Sequence, residues 1–233
     1  MGLFYESGKT IEDLMKEKKN FVFIGEAGSG KSEIILNLAH MLAEQTDRKV
    51  ELFDLDQTKP LFRSRDMQEA FAKDGVTIYY QDQFQDAPTQ VGGVRASLYG
   101  DGYTLLDIGG GHQAARYAGS YCDLLSKDDS VPVYIVNSYR PWTRTLEGID
   151  GTMSHILNSI RLDHIYILGN PNLGYMTSAD EFIHGLDKID ELFEGLTTVN
   201  SACVRKDIYP EVRDRTDKFL LPVDLYLTYE WVD

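Results

Sequence analysis

One segment constrains what this chain can fold into more than any other: GEAGSGKS, residues 25–32, which lies between an apolar run and a helical pattern. Its spacing, G-x-x-x-x-G-K-[ST], is typical of a phosphate-binding loop, in which glycines let backbone N–H groups surround phosphate oxygens. In such a loop Lys31 adds a positive charge and Ser32 reaches Mg²⁺. A helix that begins at Lys31 also points the positive end of its dipole at the anion. A glycine-rich turn without a ligand needs neither side chain, so the segment predicts nucleotide binding.

Strand-like apolar runs alternate with helical patterns along the rest of the chain. A short amphipathic helix is predicted over 10–19 with Thr10 as its N-cap, and a buried strand over 21–24 follows it. Further strands are predicted over 50–55, 76–80, 103–108, 131–136 and 164–168, and β-rich stretches over 197–204 and 220–231. Further helices are predicted over 31–45, 66–73, 143–160 and 178–194.

This alternation predicts an α/β fold in which one mostly parallel β-sheet is flanked by helices on both faces. The 233 residues, of which 42% are hydrophobic, suffice for a single domain over 1–233, with 1–19 as an N-terminal helical extension. Parallel sheets of this kind bind ligands beyond the carboxyl ends of their strands. The motif residues lie at those ends: Gly25, Asp54, Asp56, Asp107, Asn137 and Asn170.

Two acids at strand ends are candidates for the magnesium shell. Asp107 follows the apolar run Tyr-Thr-Leu-Leu, as expected of an acid that holds Mg²⁺, although an acid there can also cap a helix. In the D-x-x-G segment from Asp107 to Gly110, a backbone N–H can contact the γ-phosphate and report its loss. Asp56 can position the attacking water or serve Mg²⁺, and a solvated acid after a strand is the alternative.

Several segments together resemble the MinD/ParA/CobQ-type (SIMIBI class) P-loop nucleotide-binding proteins: GEAGSGKS, FDLDQTKP, TLLDIGGG and a late strand that ends in Asn. The longer segments DLDQTKPLFRSRD, DIGGGHQAARYAGSY, VNSYRPWT and GNPNLGYMT are similar to a MinD-like group from anaerobic bacteria. The likeness covers nearly the whole chain. It implies a parallel-sheet ATPase that binds ATP or ADP together with Mg²⁺.

The resemblance also implies a role for each site residue. Lys31, Asp56 and Asp107 are the expected catalytic residues, and Ser32, Asp56 and Asp107 are the expected Mg²⁺ ligands. Asn170 is expected to read the base. The expected nucleotide-binding set is Gly25, Glu26, Ala27, Gly28, Ser29, Gly30, Lys31, Ser32, Glu33, Gly110, Asn170 and Pro171.

Glu26 departs from the family pattern, in which a lysine at this position reaches across a dimer to the partner's nucleotide. This chain therefore lacks the residue that acts across a homodimer in that family. A carboxylate near a triphosphate repels it unless the side chain points outward or pairs with a cation. Lys59, Arg63 and Arg65 are candidates for that cation, and a solvated basic segment is the alternative reading of them.

The absence of a guanine motif favours ATP over GTP. GTP-binding P-loop proteins generally read guanine with N-K-x-D, and neither 137–140 nor 170–173 has the lysine or the acid. Asn137 and Asn170 can each cap the element that follows, and of the two Asn170 is the stronger candidate for reading adenine.

The predicted function is slow, Mg²⁺-dependent ATP hydrolysis that drives a conformational switch felt by a protein partner. One alternative is a small-molecule kinase or ATP-dependent ligase of the dethiobiotin-synthetase type, in which Arg140 and Arg144 clamp an anionic acceptor. The other reading of these two arginines is the exposed start of a helix that has Pro141 in its first turn. Another alternative is a redox ATPase that shares an iron–sulfur cluster across a dimer, because Cys122 and Cys203 permit the ligand count.

The charge of the chain argues against partners that are themselves polyanions. A net charge of -14 and a pI near 4.7 disfavour DNA, RNA and anionic lipid as general partners, because phosphate-binding surfaces need clustered cations. No apolar run approaches the roughly 20 residues that a membrane span requires. We therefore expect a cytoplasmic protein.

Overall fold

The computed structural model describes residues 4–55, 67–80, 91–108, 118–143 and 145–227. The strands are β1 (Phe4–Tyr5), β2 (Asn20–Ile24), β3 (Val50–Asp54), β4 (Val76–Tyr79), β5 (Tyr103–Asp107), β6 (Ser130–Val136), β7 (His164–Gly169), β8 (Ser201–Arg205) and β9 (Phe219–Val223). The α-helices are α1 (Ile11–Glu17), α2 (Lys31–Gln45), α3 (Gln68–Lys73), α4 (Val94–Tyr99), α5 (Cys122–Leu125), α6 (Leu146–Ile160), α7 (Ala179–Phe193) and α8 (Tyr209–Val212). Short 3₁₀ turns lie at Pro141–Thr143 and Gly174–Met176.

The strands form one sheet in the order β4-β3-β5-β2-β6-β7-β8-β9, and β1 pairs with β7. Every strand pair within the described residues is parallel. The start of β7 pairs with β1, whereas its end pairs with β8 through Gly169 and Ala202. The predicted α/β fold, with a mostly parallel sheet, is confirmed.

Helices cover both faces of the sheet because successive side chains on each strand point to opposite sides. On β2, Phe21 and Phe23 pack in one core cluster with side chains of α1, α2 and α3. Val22 and Ile24 pack in a second cluster with side chains of α4, α5, α6 and α7. A parallel strand that is buried on both faces is largely apolar, which explains the apolar run over 21–24 in β2.

Local signals predicted the start of two helices correctly. Thr10 is the N-cap of α1, where its side chain and that of Asp13 form a capping box. The helix that carries the phosphate loop spans Lys31–Gln45, as its apolar stripe predicts. The short helices α4, α5 and α8 were not predicted.

Two segments differ from the sequence-based expectation. The N-terminal extension, predicted as helical, also contributes strand β1, which is only two residues long and leaves no periodic signal. Of the last β-rich stretch, predicted over 220–231, the structure describes residues up to 227, and among these the strand ends at Val223. The backbone N–H of Asp224 is instead bonded to the Asn37 side chain, so the chain leaves the sheet there.

Candidate functional site

The phosphate loop connects β2 to α2 through backbone conformations that favour glycine. Gly28 and Gly30 have φ angles of 76° and 91°, in the left-handed region that L side chains rarely adopt. A Cβ on Gly30 would collide with the side-chain nitrogen of Asn170, and one on Gly25 would lie 2.8 Å from the carbonyl of Ile135. The Ser29 N–H donates to the Glu26 carbonyl at 3.1 Å and closes the turn. The loop is therefore shaped by its glycines, as the motif requires.

Lys31 lies against the loop that it is expected to serve. Its ammonium donates to the Gly25 carbonyl at 2.8 Å and to the Glu26 carbonyl at 3.4 Å. The side chain is 4% exposed. Its stem is thus packed, while its charge sits at the carboxyl edge of the sheet, where an incoming phosphate can replace carbonyl partners.

Ser32 and Asp107 meet beside this lysine. The Ser32 hydroxyl donates to a carboxylate oxygen of Asp107 at 2.5 Å. Asp107 is fully buried at the end of β5, next to Phe23 of β2 in the sheet register. The structure therefore brings together the two predicted Mg²⁺ ligands that the described residues contain.

Asp54 is a third acid at this edge. It ends β3 directly beside Asp107, with which it is paired in register, and it is 2% exposed. From the sequence, Asp54 was predicted only to lie at a strand end, although the pattern Asp-Leu-Asp at 54–56 could have indicated a second acid near the site. The other predicted members, Asp56 and Gly110, lie outside the described residues, as do the candidate cations Lys59, Arg63 and Arg65.

Asn170 is placed against the phosphate loop. Its side-chain N–H donates to the Ser29 carbonyl at 2.7 Å, and its backbone N–H donates to the Val136 carbonyl at 2.8 Å. Its side-chain oxygen is buried and has no hydrogen-bond partner within the described part of the chain. Asn170 therefore supports the loop and keeps one acceptor unused, while its reading of a base stays a prediction. Pro171 packs on Gly185, where a Cβ would collide with it.

The side chain of Asn137 is bonded to the loops that follow β6 and β7. Its side-chain oxygen accepts from the backbone N–H of Tyr139 at 3.1 Å, and its N–H donates to the Asn172 carbonyl at 2.8 Å. These bonds join the loops after β6 and β7.

Arg140, for which the sequence suggests an anion clamp or the exposed start of a helix, contacts the phosphate loop. Its guanidinium Nε donates to the Gly28 carbonyl at 2.9 Å. Arg140 therefore lies against the backbone of the loop. Its companion Arg144 lies outside the described residues.

Glu26 stands close to a buried tyrosine. Burial, with a smaller contribution from the Glu26 carboxylate, raises the pKa of Tyr134. The Tyr134 side chain is fully buried, and its hydroxyl has no hydrogen-bond partner among the residues described. The negative charge of Glu26 therefore contributes to the raised pKa of a side chain in the core.

Glu33 was expected to join the nucleotide-binding set, and its carboxylate turns toward the C-terminal end of the chain. It accepts hydrogen bonds from the backbone N–H groups of Tyr226 and Leu227. Burial raises the pKa of Glu33 to about 7, and the two N–H groups oppose that shift. No sequence pattern signalled this contact.

No protein-family model matches this chain, and no curated protein matches it. Among solved structures it is similar to the signal recognition particle receptor FtsY from Elizabethkingia anophelis in complex with GDP. The two chains are 15% identical with a TM-score of 0.45, and the match covers 94% of this chain and 64% of the FtsY chain. It is also similar to the BceF tyrosine kinase domain, with 16% identity and a TM-score of 0.42, and this match covers 67% of this chain and 72% of the kinase domain. The signal recognition particle 54 kDa protein from Aeropyrum pernix K1 in complex with GDP gives 16% identity, TM-score 0.39, and 93% and 47% coverage.

This chain spans less than two thirds of the length of the FtsY structure. All three TM-scores are below 0.5, so these likenesses establish neither a family nor an activity for it. The likeness to MinD-type proteins stays a prediction. Within the described residues, no helix combines the length and apolar character needed to cross a bilayer.

Proposed function

We propose that this chain binds ATP with Mg²⁺ and hydrolyses it slowly, as a nucleotide-driven switch of the MinD/ParA/CobQ type that acts on a protein partner. The observation that carries the proposal is the contact between Ser32 and Asp107, at the first turn of α2 and beside the Lys31 ammonium. A serine hydroxyl paired with a buried carboxylate at a phosphate loop is the pair that P-loop enzymes use around Mg²⁺.

The donor set fits Mg²⁺ rather than a softer metal. Ser32 and Asp107 offer oxygen atoms only, and Mg²⁺ is bound by one or two such protein ligands together with phosphate oxygens. When bound, the ion supplies positive charge to the phosphates. The protein supplies the Lys31 charge and the N–H groups of the loop and of the α2 terminus.

The chemistry proposed is hydrolysis at the γ-phosphorus. Water attacks that phosphorus, the bond to the β,γ-bridging oxygen breaks, and ADP and inorganic phosphate leave. Asp56 is our proposed residue for positioning the water, and Gly110 for contacting the γ-phosphate. Loss of phosphate then relaxes the segments that follow Asp56 and Asp107.

Adenine is the base that we propose, with Asn170 and Pro171 in the loop that receives it. The unused acceptor of Asn170 supports this choice, because the exocyclic amine of adenine is a hydrogen-bond donor. Guanine presents an oxygen at the corresponding position, and neither 137–140 nor 170–173 carries the lysine and acid of a guanine site.

One observation favours the small-molecule kinase as a second candidate. Arg140 lies at the edge of the phosphate loop, where its guanidinium contacts Gly28. An arginine at this edge can orient an anionic acceptor in a bidentate manner. The iron–sulfur alternative gains no such support, because Cys203 is buried in the core and burial raises the pKa of its thiol.

Product analysis separates these candidates. The purified chain is incubated with Mg²⁺ and ATP, and ADP and inorganic phosphate are measured together. A switch ATPase gives equal amounts of both without any acceptor, whereas a kinase gives neither until an acceptor is added and then gives ADP without phosphate.

Calorimetric titration of ATP with and without Mg²⁺ tests the metal. We expect Mg²⁺ to tighten ATP binding in the wild type and to lose that effect in Ser32→Ala. Ser126→Ala, an exposed serine at the end of α5, is the matched control and should behave as wild type. Equal affinities with and without Mg²⁺ would contradict the role given to Ser32 and Asp107.

A further inference from the structure

Residues 224–227, here called the C-terminal strap, leave the sheet after β9 and bind across helix α2. The Asn37 side chain donates to the Asp224 carbonyl at 2.9 Å and accepts from the Asp224 N–H at 2.8 Å. Lys206 pairs with the Asp224 carboxylate. A side-chain amide thus replaces the strand partner that the chain loses after Val223.

The strap then reaches the first turn of α2 and also helix α3. The Glu33 carboxylate accepts from the N–H groups of Tyr226 and Leu227, and Leu227 is buried in the core cluster beneath. The Tyr226 ring meets Phe71 edge to face, with ring centroids 5.0 Å apart. The strap therefore joins the helix of the phosphate loop to the helix that follows residues 56–66.

Glu33 occupies the third position of its helix, where an acid normally reaches back to the N-cap. Two other helices of this protein show that behaviour. In α1, Asp13 accepts from the N–H of its N-cap Thr10 at 2.8 Å. In α7, Glu181 accepts from the N–H of its N-cap Ser178 at 2.8 Å.

At α2 the corresponding N-cap is Gly30, in the phosphate loop. The strap holds the Glu33 carboxylate on its own N–H groups instead. An acid released from the strap would be free to take the position that Asp13 and Glu181 adopt. It would then place a negative charge where a phosphate is expected to bind.

We propose that the C-terminal strap keeps the phosphate site open by holding Glu33 away from the N-terminus of α2, so that strap docking and nucleotide binding favour each other. This inference rests on the nucleotide binding proposed above. When the strap is released, the Glu33 carboxylate can bond the Gly30 N–H at the N-terminus of α2. There it occupies the phosphate position and repels the negative charge of a phosphate. Because coupling between two equilibria is reciprocal, bound nucleotide must also stabilise the docked strap by the same factor.

Amide exchange of the wild-type protein measures the strap directly. With saturating Mg²⁺ and ATP, the exchange of the Tyr226 and Leu227 amides is expected to slow by about fivefold or more, the lower end of typical allosteric coupling. The amide of Leu221 in β9 reports general stability and serves as the reference.

Variants test the direction of the coupling. Asn37→Ala removes two bonds to the strap, so faster exchange at Tyr226 and Leu227 and about fivefold weaker ATP binding are expected. Asn158→Ala, an exposed asparagine of α6, is the matched control and should change neither quantity. Circular dichroism and thermal melting establish that each variant is folded.

The double variant Asn37→Ala/Glu33→Ala decides whether the strap acts through Glu33. Under the proposal its ATP affinity returns to that of the wild type although its strap amides exchange rapidly, because no carboxylate remains to cap Gly30. A double variant that binds ATP as weakly as Asn37→Ala, or more weakly, overturns the proposal. The proposal is also overturned if the wild type binds ATP but the exchange of its Tyr226 and Leu227 amides does not slow. A wild-type chain that binds no nucleotide overturns the proposed function and this inference together.

Discussion

The Ser32 hydroxyl donates to the Asp107 carboxylate at 2.5 Å, which joins the first turn of α2 to the end of the neighbouring strand β5. This bond connects the two parts of the proposed site that are far apart in sequence. A ligand that draws either oxygen toward itself therefore acts on the phosphate loop and on the start of the 108–117 segment at once. That coupling is what a nucleotide switch needs.

Lys31→Ala is expected to abolish tight ATP binding while it leaves the fold intact. The Lys31 ammonium donates to the Gly25 and Glu26 carbonyls of the phosphate loop, so its charge lies where the phosphates are proposed to bind. Loss of a charged hydrogen-bond donor costs about 3 kcal/mol, or roughly 100-fold in affinity. Calorimetry measures the affinity, and Lys73→Ala, an exposed lysine in α3, is the control. Unchanged affinity in Lys31→Ala would contradict the assignment of the loop.

Gly30→Ala is expected to destabilise the protein more than Gly195→Ala does. Both glycines are left-handed, with φ angles of 91° and 77°, so both variants carry backbone strain of about 1–2 kcal/mol. Only at Gly30 does a Cβ collide with a neighbour, the Asn170 side chain, whereas the space around Gly195 is open. Urea unfolding of the two variants isolates the collision. Equal losses of stability would show that the Asn170 side chain can move away from the added Cβ without lowering the free energy of unfolding.

Base selectivity is expected to favour adenine. ATP and ADP should bind at least tenfold more tightly than GTP and GDP, a difference of about 1.4 kcal/mol. The reason is that 137–140 and 170–173 lack the lysine and acid that read guanine. Competitive titration against a fluorescent ATP analogue gives all four constants, and equal values would remove adenine from the proposal.

Two buried tyrosines are expected to respond oppositely to loss of their hydroxyls. The Tyr134 hydroxyl has no partner among the described residues, whereas that of Tyr166 donates to Ser201 at 2.8 Å. Tyr134→Phe should therefore leave the free energy of unfolding unchanged or raise it by about 1 kcal/mol, since an unpaired buried hydroxyl is unfavourable. Tyr166→Phe should lower it by about 1 kcal/mol. Denaturant unfolding measures both, and a clear loss in Tyr134→Phe would show that its hydroxyl is satisfied.

The sequence predicted the elements whose signals are local. The bounds of α2, Lys31–Gln45, follow from the phosphate loop and the apolar stripe, and Thr10 was predicted as the N-cap of its helix. Parallel pairing also made it foreseeable that Asp107 would lie near the loop, because strand ends meet at one edge of the sheet.

Contacts between distant parts of the chain left no such signal. Glu33 and Tyr226 are 193 positions apart, and a glutamate two residues after Lys31 looks like an ordinary first-turn acid. Arg140 was likewise visible only as a cation after a strand, since its bond to Gly28 depends on how two loops pack. Tertiary packing decided the partner of both side chains.

Glu26 bears on the rate of turnover. The family that this chain resembles has a lysine at this position, and an added cation at the developing charge of the transition state is worth roughly 10³ to 10⁵ in rate. The Glu26 carboxylate acts instead on the buried Tyr134, whose pKa it helps to raise. The nearby cation Arg140 is bonded to the Gly28 carbonyl of the loop backbone. The isolated chain is therefore expected to hydrolyse ATP more slowly than about one per second, the lower end of the range for enzymes that act alone.

The source of the missing cation can be found by the same assay of phosphate release. If the segment 59–65 supplies it, basal turnover is measurable and collapses in Arg63→Ala or Arg65→Ala. If a partner supplies it, turnover stays low in the wild type and in both variants until that partner is added. We expect the second result, because the cations of 59–65 follow Asp56 by several residues and a solvated basic segment explains them equally well. Turnover in the wild type above about one per second would contradict this expectation, because it would show that another cation of the chain supplies the charge of the family's lysine.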